Sequence, residues 1–196
     1  MSITDSTISD NSVAANGFGG GIWNDGELTV SNSTFSGNSV SNLGGAIATN
    51  GAATVTNCTL SGNSAGSGTI GNFGTLTIVD CTLSSNSARS GGGGIWTSDA
   101  VYSVAQLGNT IVAGNFGQSS PDVSGPVVSL GYNLIGDDTG GSGYTDTYRQ
   151  SGCRSGERWN TSTPQKHGKF YERSVALGSK SPASCSIVTD QTAYRD

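Results

Sequence analysis

The chain has 196 residues, 31 of them glycine, and only 12% are charged; the glycine share is about twice, and the charged share about half, that of an ordinary globular domain. The net charge of −5 is uneven, because residues 1–148 hold ten acids and Arg89 alone while 149–196 hold eight bases and four acids. An acidic body excludes a nucleic-acid footprint, and without a run of 18 apolar residues this segment is not expected to insert into a membrane as a helix.

The start, "MSITDSTISD", lacks the charged and apolar regions of a signal peptide. A repeat is already under way by Ile3, so the chain is expected to begin inside a longer array. The unit is "DSTISDNS" at Asp5–Ser12, "NSTFSGNS" at Asn32–Ser39, "NCTLSGNS" at Asn57–Ser64 and "DCTLSSNS" at Asp80–Ser87. Its asparagines are Asn11, Asn38, Asn63 and Asn86, with Asn115 a looser fifth. A second landmark, Ile22, Ile47, Ile70 and Ile95, closes glycine-rich segments at intervals of 25, 23 and 25. Repeats of this length mean a solenoid or a propeller.

Before three of the units stand "ELTVS", "AATVT" and "TLTIV". Their period of two with Thr, Val and Ile argues strand. "STF" and "CTL" make a second short strand, and the isoleucine segment a third. Three strands and three bends in one repeat build a rung of a parallel β-helix, whereas a propeller blade needs about 40 residues. Leu28, Ala53 and Leu76, then Val30, Val55 and Ile78, are expected to point inward. So are Phe35, Leu60 and Leu83 with Ile8, and the small column Ser6, Ser33, Cys58 and Cys81. Asn38, Asn63 and Asn86, with Asn11 at the start, should form a side-chain amide ladder that satisfies bend backbone groups. The ladder reads as scaffold. Thr29, Thr54 and Thr77 form an outward array, with Thr7, Thr34, Thr59 and Thr82 as another; β-propensity accounts for both, and ice binding is the functional alternative.

"GGGIWNDGELTVSNSTFSGNS", "GGAIATNGAATVTNCTLSGNS" and "NTIVAGNFGQSSPDVSGPVVSLGYNLIGDDTG" resemble the right-handed parallel β-helix repeats of bacterial surface and secreted proteins. These are the polymorphic outer membrane protein-like and adhesin-like arrays, and the resemblance covers roughly residues 1–143. It implies an exported, cell-surface, mostly non-catalytic protein, and it brings no catalytic residues with it. The expected fold is therefore all-β, a single-stranded right-handed parallel β-helix of about five to six rungs.

From 144 to 196 the chain turns basic and aperiodic, and an irregular tail is expected there. Fragments of the family's ending return in Ser181–Ala183 and Thr189–Gln191. Compensating frameshifts over roughly residues 149–176, or a different cap, would each explain the stretch between. An uncapped β-helix end invites strand pairing, so end-to-end self-association is expected.

Several residues carry potential chemistry. Cys58 and Cys81 sit in matching positions roughly 4.8 Å apart, inside the disulfide window of about 4.4–6.8 Å. Stacked free thiols, a disulfide and a metal site are the three readings, the first being the plainest. Cys153 and Cys185 would bridge the tail under oxidising conditions. His167 reads as a solvated loop residue. Asp25, Glu27, Asp99, Asp122, Asp137 and Asp138 are the acids available for paired-carboxylate chemistry, and they read as solvated turn acids. Trp23 and Trp96 occupy matching positions, but Ala48 and Gly71 lie between them, too sparse for a continuous aromatic platform. The resulting expectation is a non-catalytic structural or adhesin-like portion of an exported protein, without cofactor or metal, whose partners are host or environmental glycans or proteins. A polysaccharide lyase or glycoside hydrolase on the same scaffold is one alternative, and a glycan- or ice-binding module is another.

Overall fold

The structure is a computed structural model that describes residues 1–14, 16–137 and 139–142, and the backbone of 147–149. The alternating pentads are strands, as their period demands. Ser2–Thr4, Glu27–Ser31, Ala52–Thr56, Thr75–Val79, Val104–Gly108 and Val128–Ser129 stack in that order as one sheet. Thr7–Ser9, Thr34–Ser36, Thr59–Ser61, Thr82–Ser84, Ile111–Val112, Asn133–Ile135 and Thr147–Arg149 form a second. The isoleucine landmark strands, Ile22–Asn24, Ile47–Thr49, Ile70–Asn72 and Ile95–Thr97, continue into Val123–Pro126 and Gly141–Ser142. Every neighbouring pair is parallel, as successive rungs of one solenoid require. The chain is thus an all-β parallel β-helix, and the six-strand depth of the first sheet fits the five to six rungs expected. No helix among the described residues is long and apolar enough to cross a membrane.

Four of the rungs have one strand more than the expected three. Ser12–Val13, Ser39–Val40, Ser64–Ala65 and Ser87–Ala88 form a fourth sheet just after the ladder asparagines. Two residues are too few to show a period, so the sequence pattern is silent there.

The inward columns fall where alternation puts them. Leu28, Ala53, Leu76 and Ala105 stack, as do Val30, Val55, Ile78 and Leu107. Phe35, Leu60, Leu83, Val112 and Ile135 make the second column, with Ile8 packed at its open end. All but Ile8 are buried in one continuous core, each large side chain contributing about 1.5–3 kcal/mol.

The eight-letter unit can now be decoded. Its first letter sits in a left-handed bend, with φ of 48° at Asp5, 50° at Asn32, 51° at Asn57 and 56° at Asp80; Asn and Asp tolerate that region better than other side-chain-bearing residues. The second is small and inward, and the next three form the strand of the second sheet. The sixth is left-handed again, φ 65° at both Gly37 and Gly62. The seventh is the ladder asparagine, and the eighth starts the two-residue strand.

Candidate functional site

The asparagine ladder is real and has a direction. Asn11, Asn38 and Asn63 each donate Nδ2 to Oδ1 of the next rung's asparagine, at 2.8, 3.0 and 3.0 Å. The backbone N–H of each donates to the same oxygen at 3.2, 3.1 and 3.0 Å. The second Nδ2 hydrogen goes back to a strand carbonyl, Ile8 for Asn38, Phe35 for Asn63 and Leu60 for Asn86. Asn86 donates in turn to Asn115 Oδ1 at 2.8 Å, so Asn115 is a full member of the ladder.

Asp122 corrects the reading of a solvated turn acid. It is 2% exposed, and its Oδ1 accepts from Asn115 Nδ2 at 2.8 Å and from Asn115 N at 2.9 Å. Its Oδ2 accepts from the backbone N–H of Asp137 at 2.7 Å. Burial raises its pKa above the usual carboxylate range, while hydrogen bonds from Asn115 and Asp137 oppose the shift. The other acids are elsewhere: Asp25, Glu27 and Asp99 are exposed, and Asp137 holds the N–H and hydroxyl of Thr139. Asp138, His167, Cys153, Cys185 and the tail after 149 lie outside the described residues.

The small inward column is a second ladder. Ser33 Oγ donates to the Ser31 carbonyl at 2.7 Å, Cys58 Sγ to Thr56 O at 3.1 Å, Cys81 Sγ to Val79 O at 3.1 Å, and Thr110 Oγ1 to Gly108 O at 2.9 Å. Ser33, Cys81 and Thr110 also accept the backbone N–H of the rung before, including Cys58 N to Cys81 Sγ at 3.4 Å. Cys58 and Cys81 are stacked, buried free thiols. Their titrations are linked: the thiol–thiol interaction between the two side chains lowers the Cys58 pKa to about 7, while that interaction and burial push Cys81 upward against the backbone N–H of Cys58, which opposes the rise. A third buried polar column, Asn24, Thr49, Asn72 and Thr97, escaped the sequence pattern, with Asn24 Nδ2 donating to Thr49 Oγ1 at 2.9 Å.

The Thr29, Thr54 and Thr77 column is aligned as expected and runs on into Gln106 and Val128. Its hydroxyl pattern therefore stops after Thr77, which is itself half-buried.

The aromatic residues are where expectation and structure differ most. Trp23 and Trp96 are separated in their strand column by buried Ala48 and Gly71, as the sequence shows. Two phenylalanines from outside that column close the gap. The Phe18 ring lies 5.1 Å from Trp23 and 6.2 Å from Phe73, and Phe73 lies 5.3 Å from Trp96. The four rings form an unbroken row over three rung spacings, about 14 Å. Phe18 reaches Trp23 because Gly19 reverses the chain with φ 64°, where an added Cβ would strike the Ile22 carbonyl. Leu43, buried beside Phe18 in the bridge column, fills the space over Gly71.

The row is edged with hydrogen-bonding groups. Trp23 Nε1 donates to Asp25 Oδ2 at 2.7 Å, and Asn50 Nδ2 to Asp25 Oδ1 at 3.3 Å. The Ser67 and Ser90 hydroxyls bond each other at 3.0 Å, and Gly91 sits between Ser67 and the Trp96 ring. Trp23 and Phe18 are 40% and 37% exposed, whereas Phe73 and Trp96, further along the row, are half-buried. The sequence signal for this site was the pair of matching tryptophans; Phe18 sits in an isolated bridge whose next-rung partners are Leu43 and Ser67, and Phe73 in a bend, so neither phenylalanine is marked by recurrence.

Comparison with curated proteins and with solved structures gives no match. A family model described as the right handed beta helix region matches residues 1–116. That match takes in more than half of the chain, from the first strand to the bend that holds Asn115, and the chain belongs to the right-handed β-helix family.

Proposed function

We propose that the chain is a non-catalytic, adhesin-like portion of an exported bacterial surface protein, with the aromatic row as its contact face. The row of Trp23, Phe18, Phe73 and Trp96, held on a ladder-stiffened shaft, carries this reading. Large aromatic side chains dominate recognition surfaces because they cover much area at little cost in conformational entropy. The sparse charge and the Ser- and Thr-lined outer faces are in keeping with an extracellular shaft. Asp122 supports the non-catalytic reading, since its carboxylate is spent on ending the ladder.

The test is retention of fluorescently labelled chain on a panel of bacterial and animal cells. Wild type and a Thr29→Val, Thr54→Val, Thr77→Val triple variant should be retained alike, while Trp23→Ala with Phe18→Ala should not. Equal retention of all three overturns the contact face. Release of reducing ends from polysaccharides by the wild type overturns the non-catalytic reading.

A further inference from the structure

We infer that the Phe18–Trp23 ring pair is a binding site for a neutral, β-linked glycan chain, whose sugar rings stack on the aromatic faces while Asp25 and Asn50 accept their hydroxyls. The inference rests on the aromatic row being the contact face.

The chemistry of the borders selects the ligand. The two rings are offset-stacked, 5.1 Å apart and inclined by 38°, and with Trp23 40% and Phe18 37% exposed their open parts together make one apolar surface. A pyranose with equatorial substituents has apolar C–H faces and a rim of hydroxyls. Its faces fit the rings, and its rim meets the edges of the row. The Asp25 carboxylate offers four lone-pair directions, of which Trp23 Nε1 and the Asn50 amide use two. The rest, with the Asn50 carbonyl, await donors, and sugar hydroxyls supply several per ring. Ser67 and Ser90 add a hydroxyl pair along the row.

The same borders disfavour other partners. A flat apolar protein patch would trap the Asp25 carboxylate in a dry interface, which is costly for an unpaired charge. A polyanion would meet a body with ten acids and Arg89 as its one base over residues 1–148, so like-charge repulsion opposes it.

The site is also preorganised. Phe73 stands edge-on to Phe18 at 74° and to Trp96 at 70°, wedged between the two. The bond to Asp25 holds the Trp23 indole. Rings already fixed lose little freedom when the ligand arrives.

Affinity electrophoresis decides the matter. The chain should be retarded in gels containing a neutral β-linked glucan, and not in gels containing dextran or polygalacturonate. Trp23→Ala and Phe18→Ala should each weaken the retardation about tenfold, the size of one good aromatic contact, and Trp23→Phe should keep most of it. Unchanged far-UV circular dichroism shows that these variants fold. No retardation in neutral β-linked glycans, with cell retention still lost in Trp23→Ala, overturns the ligand class and leaves the contact face standing. Retardation in polygalacturonate alone overturns the charge reasoning. Binding that ignores Trp23 in both assays overturns both.

Discussion

Asn115 sends its backbone N–H and its side-chain Nδ2 to a single oxygen, Asp122 Oδ1, at 2.9 and 2.8 Å. This pair explains how the ladder ends. Every asparagine below it passes a donor forward to an acceptor in the next rung. A carboxylate accepts but, once ionised, cannot donate, so Asp122 terminates the chain of amides and turns its other oxygen to Asp137 N. Gly94 and Gly136 border it, and an added Cβ on either would press on Asp122 or Asn115.

Asp122→Ala should therefore be destabilising. It strands the two donors of Asn115 and the N–H of Asp137, and each buried unpaired group costs about 1–3 kcal/mol. A loss of about 3 kcal/mol or more in urea unfolding is expected; a change under about 1 kcal/mol would show that water replaces the carboxylate freely.

The pH dependence has a defined sign. Burial raises the Asp122 pKa in the folded chain. Its titration therefore contributes stability that is complete below the unfolded value of about 3.9 and is lost as pH rises through the folded value. Asp122→Asn keeps an oxygen for Asn115 but does not titrate. The stability gap between wild type and this variant should be widest in acid and narrow toward neutral pH. Unfolding curves for both chains across that range measure it, and a gap that widens with pH would contradict the assignment.

Ladder position sets the cost of losing an amide. Asn63 is buried and serves Asn38, Asn86 and the Phe35 carbonyl, while Asn11 is exposed and has a partner on one side. Asn63→Ala should cost about 3 kcal/mol and Asn11→Ala under about 1 kcal/mol. Equal losses in equilibrium denaturation would mean that the ladder's hydrogen bonds do not govern stability.

The thiols make a contrasting case. Ser33 fills the Cys58 and Cys81 position one rung earlier and makes the same two bonds with shorter lengths. Cys58→Ser with Cys81→Ser should leave the fold intact and stability within about 1 kcal/mol, whereas Cys81→Ala, which orphans the Cys58 N–H, should cost about 1–3 kcal/mol. Thermal melts of the two variants make the comparison.

The difference between what was legible and what was not has a physical origin. Leu28, Val30, Phe35 and their counterparts were readable because strand alternation and rung repetition are both periodic, and a core column must be filled in every rung. Asn11, Asn38, Asn63 and Asn86 were readable for the same reason. Asp122 was not, because a terminator occurs once and has no counterpart to reveal it; in sequence it is one more loop acid after Pro121. Phe18 and Phe73 were missed because one sits in an isolated bridge and the other in a bend of a different rung, and they meet only through the geometry of the solenoid. Repetition betrays architecture, while the candidate site is assembled from residues that depart from the repeat.

Phe73 provides the last test of that assembly. Its half-buried ring stands between Phe18 and Trp96 in the row, next to the exposed Phe18–Trp23 pair rather than part of it. Removing it with Phe73→Ala should free the Phe18 ring to rotate and collapse the near-ultraviolet circular dichroism of the row. Immobilising one side chain on binding costs about 0.5–1.5 kcal/mol. Glycan retardation should therefore weaken by about threefold to tenfold, although no contact with the ligand has been deleted. Phe73→Tyr, which keeps the edge-on ring, should restore both readings. If Phe73→Ala loses the dichroism but binds as tightly as wild type, Phe18 is held by the backbone turn at Gly19 alone, and the ordering role passes from the aromatic wedge to that turn.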